Sequence, residues 1–293
     1  MALRLYQTRN SKNQHNTFKY RINCQERTNH DTSDWLQILS KIDHTSSEYK
    51  IFKGLLEKKT AIVVKIGGNI LQKEFEYGDL LEELGLPTFI RFHCIFNCLD
   101  NFNSITNSTK TLCKGEGDRI TVLVMPDIKL GSINSYSWTR DNFGMLKNII
   151  KHCILSLYYA YDKLHFIHRD FHLGNVLLKK TQRTEIIYGD ITLETLGYIP
   201  VIMDFDKSIL QEGAQDLFYK DINHIVSLLQ NSMSDIRINS GNMMYILDKL
   251  IYEYTPITRT ILLELLKEVD NFTIRYFDSE RILPNWLKPT SSR

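Results

Sequence analysis

The chain has 293 residues, of which 43% are hydrophobic and 24% charged, and its formal net charge at pH 7 is +2. This composition is that of a globular protein with a sizeable core, and the near balance of charges argues against a nucleic-acid-binding protein. No run of about 18 uncharged apolar residues occurs, and the polar first twenty residues do not have the form of a secretory signal. We therefore expect a soluble, cytoplasmic protein with reduced cysteines, although Cys94 and Cys98 could pair or share a metal.

The first half of the chain has the patterning of a β-rich unit. Residues 1–34 are polar and predict an irregular N-terminal extension, after which apolar patterning begins at Trp35. One helix is predicted at about 70–85, closed by Gly85 and Pro87. Strands are predicted over residues 35–42, 49–56, 60–68, 89–96 and 119–125, with an Asn-, Ser- and Thr-rich surface loop before the last of them.

The second half of the chain has mainly helical patterning. Residues 142–164 carry apolar side chains at positions i, i+3, i+4 and i+7, which predicts a long amphipathic helix. A loop and a strand follow in HFIHRDFHLGNVLLKK, then an inserted hairpin at about 181–199 and a strand that ends at DFD. From Gln215 onward the pattern is again helical. A β-rich half followed by a helical half predicts an α+β fold with two lobes and a ligand cleft between them.

Polar residues beside these predicted strands suit phosphoryl transfer. That reaction needs cations to neutralise the phosphates and a carboxylate to orient the attacking hydroxyl. Asp170 would orient the hydroxyl, while Asn175, five residues later, and Asp204 would ligate Mg²⁺, an ion that prefers oxygen ligands. Lys65 ends the apolar run TAIVVK and could reach the α- and β-phosphates of ATP.

Four stretches together resemble the protein-kinase-like superfamily, and more narrowly the divergent kinases of large DNA viruses. IVVK resembles the lysine-bearing strand, HRDFHLGN the catalytic loop, DFD the metal-binding triplet, and DINHIVSLL the helix whose Asp221 supports the catalytic loop. The resemblance covers roughly residues 35–235. It implies a bilobal kinase-like fold with an N-lobe at 35–126, a C-lobe at 127–293 and a hinge at about 125–131. If the source is viral, the location would be the host cytoplasm or the virion.

The resemblance also implies how ATP would be bound. Met125 would lie at the back of the adenine pocket, Pro126 would offer its carbonyl, and Ile128 would offer both its N–H and its carbonyl. The stretch that matches the phosphate-binding loop, DHTSSEYKIFKG, lacks the usual glycines. Ser46, Ser47 and nearby backbone N–H groups would then hold the phosphates, less closely than glycines allow.

A carboxylate on the predicted helix 70–85 is implied as the partner of Lys65. Glu76 is favoured because Leu80 and Leu84 would then fall on the same helix face, one and two turns on. Glu74 is the alternative.

The other residues of the catalytic loop are implied to support the site. His168 would pack and hydrogen-bond near Asp204, and Arg169 would pair with a local carboxylate or with nothing. His172 would either contact the γ-phosphate or pack. Asp221 would accept backbone N–H bonds from the loop.

The sequence leaves the phosphate acceptor open. His172 stands where protein kinases usually carry lysine, in a DxHxxN pattern typical of aminoglycoside and choline kinase relatives. Asp221 follows Asp204 by only 17 residues, which leaves no room for a long activation segment. Arg169, by contrast, completes the HRD triplet of protein kinases. We therefore predict a serine/threonine protein kinase with an unidentified protein substrate, and keep a small-molecule phosphotransferase and a pseudokinase scaffold as alternatives.

Overall fold

The computed structural model describes residues 35–42, 48–105, 112–231 and 236–276. The predicted N-terminal extension and the predicted phosphate-binding residues Ser46 and Ser47 lie outside these ranges. Within them, no helix combines the length and the apolar surface that a membrane crossing requires.

Contacts between residues divide the chain into two compact units. The first is formed by Met1–Ile66 and His93–Met125, and the second by Gly67–Phe92 and Pro126–Arg293. The predicted helix at 70–85 therefore belongs with the mainly helical second unit, and not with the β-rich half in which its sequence lies.

The first unit is built on one five-stranded sheet in the order β1-β2-β3-β5-β4. Apolar side chains that alternate along β3 and β5, including Ile62, Val64, Val122 and Val124, are fully buried in its core. The neighbouring pairs β1–β2 and β4–β5 are antiparallel. The strands are β1 (Leu36–Ile42), β2 (Tyr49–Leu56), β3 (Thr60–Gly67), β4 (Cys94–Asp100) and β5 (Asp118–Pro126).

The strand predicted at 89–96 begins later in the sequence than expected. Strand β4 begins only at Cys94, which pairs with Val124. The preceding apolar residues belong to the second unit, where the Ile90 N–H donates to the Ile202 carbonyl at 2.9 Å and the Ile202 N–H donates to the Thr88 carbonyl at 2.8 Å. Residues of this one predicted strand therefore pack in the cores of both units.

Two of the cysteines form a disulfide across the end of β4. Cys98 and Cys113 are joined with their Cα atoms 5.3 Å apart, and Cys153 is free and buried. The expectation of reduced cysteines is therefore wrong for this pair and for Cys94, which is also disulfide-bonded, and the suggestion that Cys98 pairs with Cys94 is wrong as well. The two partners are 15 residues apart in sequence but are brought together by the return of the chain into β5.

The second unit packs around one long central helix. The predicted amphipathic helix is α2, and its apolar face is buried, with Ile149, Ile150, Cys153 and Ile154 fully enclosed. It ends where His165 adopts the left-handed conformation, with φ of 54°. The helices are α1 (Ile70–Glu83), α2 (Phe143–Leu164), α3 (Gln215–Asn231), α4 (Met243–Tyr252) and α5 (Arg259–Asp270).

Short antiparallel ladders complete the second unit. The predicted insertion is a hairpin, β8–β9, and the strand that ends before DFD is β10, paired with β7. One ladder, β12–β13, was not expected from the sequence. The strands are β6 (Phe166–Ile167), β7 (Val176–Lys180), β8 (Glu185–Tyr188), β9 (Ile191–Glu194), β10 (Tyr198–Ile202), β11 (Ile209–Leu210), β12 (Ile236–Asn239) and β13 (Thr273–Tyr276).

Candidate active site

The loop that carries the HRD triplet lies between two strands of the second unit. It leaves β6 after Ile167, forms a short 3-10 turn at Leu173–Asn175 and continues directly into β7. Arg169 is exposed and has φ of 64°. A non-glycine residue in this conformation costs roughly 1–3 kcal/mol and persists only where the surroundings impose it.

Asp221 imposes that conformation from helix α3. Its side chain is only 6% exposed, and its Oδ2 atom accepts the backbone N–H groups of His168 at 2.9 Å and Arg169 at 3.1 Å. Burial raises the pKa of Asp221 to about 7, against the opposing effect of these hydrogen bonds. The carboxyl therefore fixes the backbone of the loop and does not face the reaction.

His168 joins the loop to the segment that precedes Asp204. Its Nε2 atom lies 3.0 Å from the Met203 carbonyl, and because a carbonyl only accepts, Nε2 carries the proton. Burial lowers the pKa of His168 to about 4, so the ring is neutral. It packs against Phe166, Phe171 and Phe205 with ring centroids 5.5–6.4 Å away. His168 is thus a packing and positioning group.

Asn175 and Asp204 are held close together by the backbone. The Asn175 side-chain amide donates to the Asp170 carbonyl at 3.0 Å, and the Asn175 carbonyl accepts the Met203 N–H at 3.0 Å. Asp204 follows at once, with φ of 70°. One hydrogen bond thus connects Asp170 with Asn175, and a second joins Asn175 to Met203, the residue directly before Asp204, so the three residues predicted for phosphoryl transfer come together within the second unit.

These residues fit a magnesium ion through the chemistry of their donors. Because the Asn175 amide nitrogen is used by the Asp170 carbonyl, the other side of that amide presents its oxygen. An amide oxygen and the Asp204 carboxylate are hard ligands, and Mg²⁺ is usually held by one or two such groups together with substrate phosphates. Within the described ranges, no group of three or more His, Cys, Asp or Glu side chains could hold a metal, so a protein-only cage is not offered there.

His172 caps the 3-10 turn of the loop. Its Nδ1 atom accepts the Gly174 N–H at 3.1 Å, which requires Nδ1 to be unprotonated. Of the two roles predicted for His172, this geometry describes the structural one.

Lys207 is a site residue that the sequence analysis missed. Its ammonium group lies 2.8 Å from the Oδ2 atom of Asp170. The only signal available in the sequence was a lysine directly after the DFD triplet, 37 residues from its partner.

Lys65 lies in the core of the first unit. It is 3% exposed, and its Nζ atom stands 4.0 Å from the centre of the Tyr49 ring. A buried lysine is rare, since an ammonium group loses hydration when it leaves water. This burial distinguishes Lys65 from an ordinary surface lysine at a strand end.

Helix α1 presents a different carboxylate from the one favoured above. Glu76 is exposed and accepts a hydrogen bond from Gln72 at 3.2 Å, whereas Glu74 is 1% exposed. The face that is buried contains Leu71, Glu74, Gly78 and Leu81, and not the predicted Leu80 and Leu84. The face of Glu76, Leu80 and Leu84 is therefore not the one that the helix buries, and Glu74 is the buried carboxylate, while the choice of the partner of Lys65 stays a prediction.

The predicted hinge residues fall at the junction of the two units. Met125 is buried at the end of the first unit. In the second unit, Pro126 and Ile128 line a cavity of about 220 Å³ together with Arg91, Lys179 and other residues. The Ile128 carbonyl accepts the Gly131 N–H at 3.1 Å in a turn. Adenine binding by these residues stays a prediction.

Comparison with known proteins identifies the family. Residues 122–271, slightly more than half of the chain, match the family described as haspin-like kinase domain. An uncharacterized protein of Caenorhabditis elegans, ZK177.2, is 32% identical over 75 residues, which cover 24% of this chain and 25% of that protein. Mouse serine/threonine-protein kinase haspin is 42% identical over 76 residues, which cover 25% of this chain and 10% of that protein.

A viral relative is also found. Uncharacterized protein 098R of Invertebrate iridescent virus 6 is 33% identical over 80 residues, which cover 25% of this chain and 13% of that protein. Since that protein carries no assigned activity in its name, the narrower likeness to kinases of large DNA viruses stays a prediction. All three matches span a quarter or less of the relatives' length. The matched domain contains the catalytic loop, the DFD triplet and Asp221, and the chain belongs to the family of haspin-like kinase domains.

Proposed function

We propose that the protein is a serine/threonine protein kinase that uses ATP and Mg²⁺. The observation that carries the proposal is the connected set Asp170, Asn175 and Asp204 within the haspin-like domain. A carboxylate, an amide oxygen and a second carboxylate supply the two requirements of phosphoryl transfer, orientation of the hydroxyl and charge neutralisation through a metal.

Each residue has a defined part in the reaction. Asp170 accepts a hydrogen bond from the acceptor hydroxyl and turns its oxygen toward the γ-phosphorus. Asn175 and Asp204 would hold Mg²⁺, which neutralises charge on the nucleotide phosphates when bound. Lys65 would bind the α- and β-phosphates, and Met125, Pro126 and Ile128 would bind the adenine.

Two features favour a protein acceptor. The mouse relative with 42% identity is named a serine/threonine-protein kinase. Arg169 completes the HRD triplet and is exposed.

A small-molecule acceptor is the second candidate, and the segment after Asp204 favours it. Strand β11 begins at Ile209 and helix α3 begins at Gln215, so that the chain enters regular structure almost at once. Little backbone is left to form a platform for an extended peptide.

The test is transfer of label from γ-labelled ATP with Mg²⁺ to the protein itself, to casein and to a basic protein. We expect labelled serine or threonine with the wild type. Asp170→Asn should lower kcat by about 100-fold or more and leave nucleotide binding intact, since a group that acts in the transition state is removed. Asp204→Asn should remove the Mg²⁺ dependence of ATP binding. Asparagine is chosen at both positions because it keeps the size of the side chain and tolerates the positive φ of residue 204.

A matched control is Asp190→Asn, which changes an exposed aspartate that pairs with Arg259 at 2.8 Å. It should leave transfer unchanged. ATP binding with no label on protein but label on hydroxylated metabolites would support the small-molecule alternative. Binding without transfer to any acceptor would mean a pseudokinase, and near-normal turnover in Asp170→Asn would refute the assignment of the loop.

A further inference from the structure

Lys207 is positioned beside the catalytic carboxylate by its backbone, and not only by its long side chain. The Ser208 N–H donates to the Phe205 carbonyl at 3.1 Å, which closes a turn around Lys207. The Ser208 hydroxyl donates to the His168 carbonyl at 3.2 Å, and Ile209 pairs with Ile167 in the β11–β6 ladder. The Cα atom of Lys207 is therefore fixed next to the catalytic loop from both sides.

The ammonium group of Lys207 lies beside the carboxylate of Asp170, at 2.8 Å from its Oδ2 atom. Its side chain is 60% exposed, while that of Asp170 is 24% exposed, so the ammonium group is open to solvent and to a ligand. The hydrogen bond with Asp170, and then the charges of Asp206 and Asp204, raise the pKa of Lys207 above its usual value. The group is consequently a permanent cation near neutral pH.

The two histidines that flank Asp170 in the catalytic loop do not supply an equivalent cation. His172, two residues after Asp170, accepts the Gly174 N–H through Nδ1, and a proton on that atom would break the bond. His168 is buried and neutral. Since phosphoryl transfer depends on cations that neutralise the transferred group, Lys207 can meet a need that these two histidines do not meet.

We propose that Lys207 is a catalytic residue, whose ammonium group binds the γ-phosphoryl group during transfer while its contact with Asp170 orients that carboxylate toward the acceptor. The acceptor oxygen forms a bond to the γ-phosphorus as the bond from this phosphorus to the bridging oxygen of ADP breaks. ADP leaves with the electron pair, and the hydroxyl proton passes to Asp170. This inference rests on the proposed kinase function.

The test compares Lys207→Met, Lys207→Arg and the control Lys220→Met in the labelled-ATP assay. Lys220 pairs with Asp216 at 2.9 Å, and the exposures of 54% and 19% are close to those of the Lys207 pair. Lys207→Met should lower kcat by about 100-fold, with KM for ATP within about threefold, because the cation acts on the transferred group and not on the bound nucleotide. Lys207→Arg should restore at least about a tenth of the activity, because it restores the charge. Lys220→Met should leave kcat within about twofold, as is usual for an exposed pair.

The outcomes separate this inference from the function on which it rests. No transfer by the wild type to any acceptor would overturn both. Transfer by the wild type with kcat of Lys207→Met within about threefold would overturn only the role of Lys207. An increased kcat would also overturn it, since the pair would then block the resting site. Equal losses in Lys207→Met and Lys207→Arg, or a loss shared by Lys220→Met, would mean that charge at residue 207 is not what the reaction uses. Thermal unfolding of each variant, expected to match the wild type because the side chain is exposed, excludes a loss of folding.

Discussion

His152 gives the protein a pH-dependent stability that can be isolated in one substitution. The ring is completely buried in helix α2, where its Nε2–H donates to the Glu194 carbonyl at 2.8 Å and its Nδ1 lies 2.8 Å from the Tyr188 hydroxyl. Burial lowers the pKa of His152 from 6.5 to about 4. In the unfolded chain the ring takes up a proton as the pH falls through 6.5, whereas the folded protein does so only near 4. The unfolded state therefore binds more protons in this window, and stability falls as the solution becomes more acidic.

The size of the effect follows from the two pKa values. Between pH 7.5 and pH 5.5, one such histidine lowers the free energy of unfolding by about 1.3 kcal/mol. The wild-type curve alone does not report this value, because His168 adds a loss of the same sign. Asp221 acts in the opposite direction: with its pKa raised to about 7, the folded state gains a proton that the unfolded state lacks at these pH values.

The assay is urea unfolding at both pH values for the wild type and for His152→Gln. Glutamine supplies one donor and one acceptor but does not titrate, so the pH-dependent loss should be smaller in the variant by about 1.3 kcal/mol. His224→Gln, which changes an exposed histidine on helix α3, should leave the loss unchanged. If His152→Gln and the wild type lose the same free energy to within about 0.3 kcal/mol, the buried ring is already taking up a proton in the folded protein, and the reasoning is refuted.

Three further predictions concern the framework of the site. Gly78→Ala should destabilise the protein by about 1–3 kcal/mol in urea unfolding, because a Cβ atom there would lie 2.2 Å from a ring carbon of Phe92, while Gly144→Ala, with open space around it, should cause no loss. Cys98→Ser should lower the free energy of unfolding by roughly 2–4 kcal/mol, and dithiothreitol should destabilise the wild type more than this variant, in which the disulfide of Cys94 remains. Asp221→Ala should lower kcat and stability together, since the N–H groups of His168 and Arg169 lose their acceptor, at about 1–3 kcal/mol for the buried N–H of His168, and Asp221→Asn, which keeps an oxygen there, should lose less of both. Equal effects of the two Asp221 variants would mean that the charge, and not the hydrogen bonds, supports the loop.

The helical and hairpin elements could be predicted because their periodicity agrees with their burial. Helix α2 has apolar residues on a wide face, and the structure buries Ile149, Cys153 and Leu157 at helical spacing. The hairpin at 181–199 was equally visible, since turn residues separate two short β-like runs there. In these segments the local sequence pattern and the tertiary packing favour the same structure.

The run from 89 to 96 could not be divided in the same way. Apolar residues lie on both sides of Cys94, interrupted by Arg91 and His93, and this pattern does not say which core each apolar residue enters. Phe89 forms a bridge with Ile202 in the second unit, while Cys94 pairs with Val124 in the first. The boundary is set by two sets of partners more than 20 residues away in sequence.

The buried face of helix α1 could not be predicted, for a related reason. Leucines occur at 71, 80, 81 and 84, so more than one face of the helix could be assigned as apolar. Gly78 decides between them, because its missing side chain lets Phe92 approach the helix on the face that also carries Glu74. A glycine inside a helix was therefore the informative residue, and the leucine pattern was not.

In the candidate site, some contacts can be predicted from the spacing of residues in the sequence and others cannot. Asp170 and Asn175 are five residues apart in one loop, and the Asn175 amide donates directly to the Asp170 carbonyl. This contact can therefore be predicted from a fixed interval in the sequence. Lys207 reaches Asp170 only because the turn at Phe205–Ser208 and the β11–β6 ladder return the chain to the loop. The interval of 37 residues between Asp170 and Lys207 does not determine how close the two side chains lie. If Lys207 supplies the cation that His172 does not, the positive charge comes from the segment after DFD and not from the catalytic loop. A comparison restricted to the catalytic-loop motif would then record the lysine at position 172 as lost, although the protein still places a cation beside Asp170.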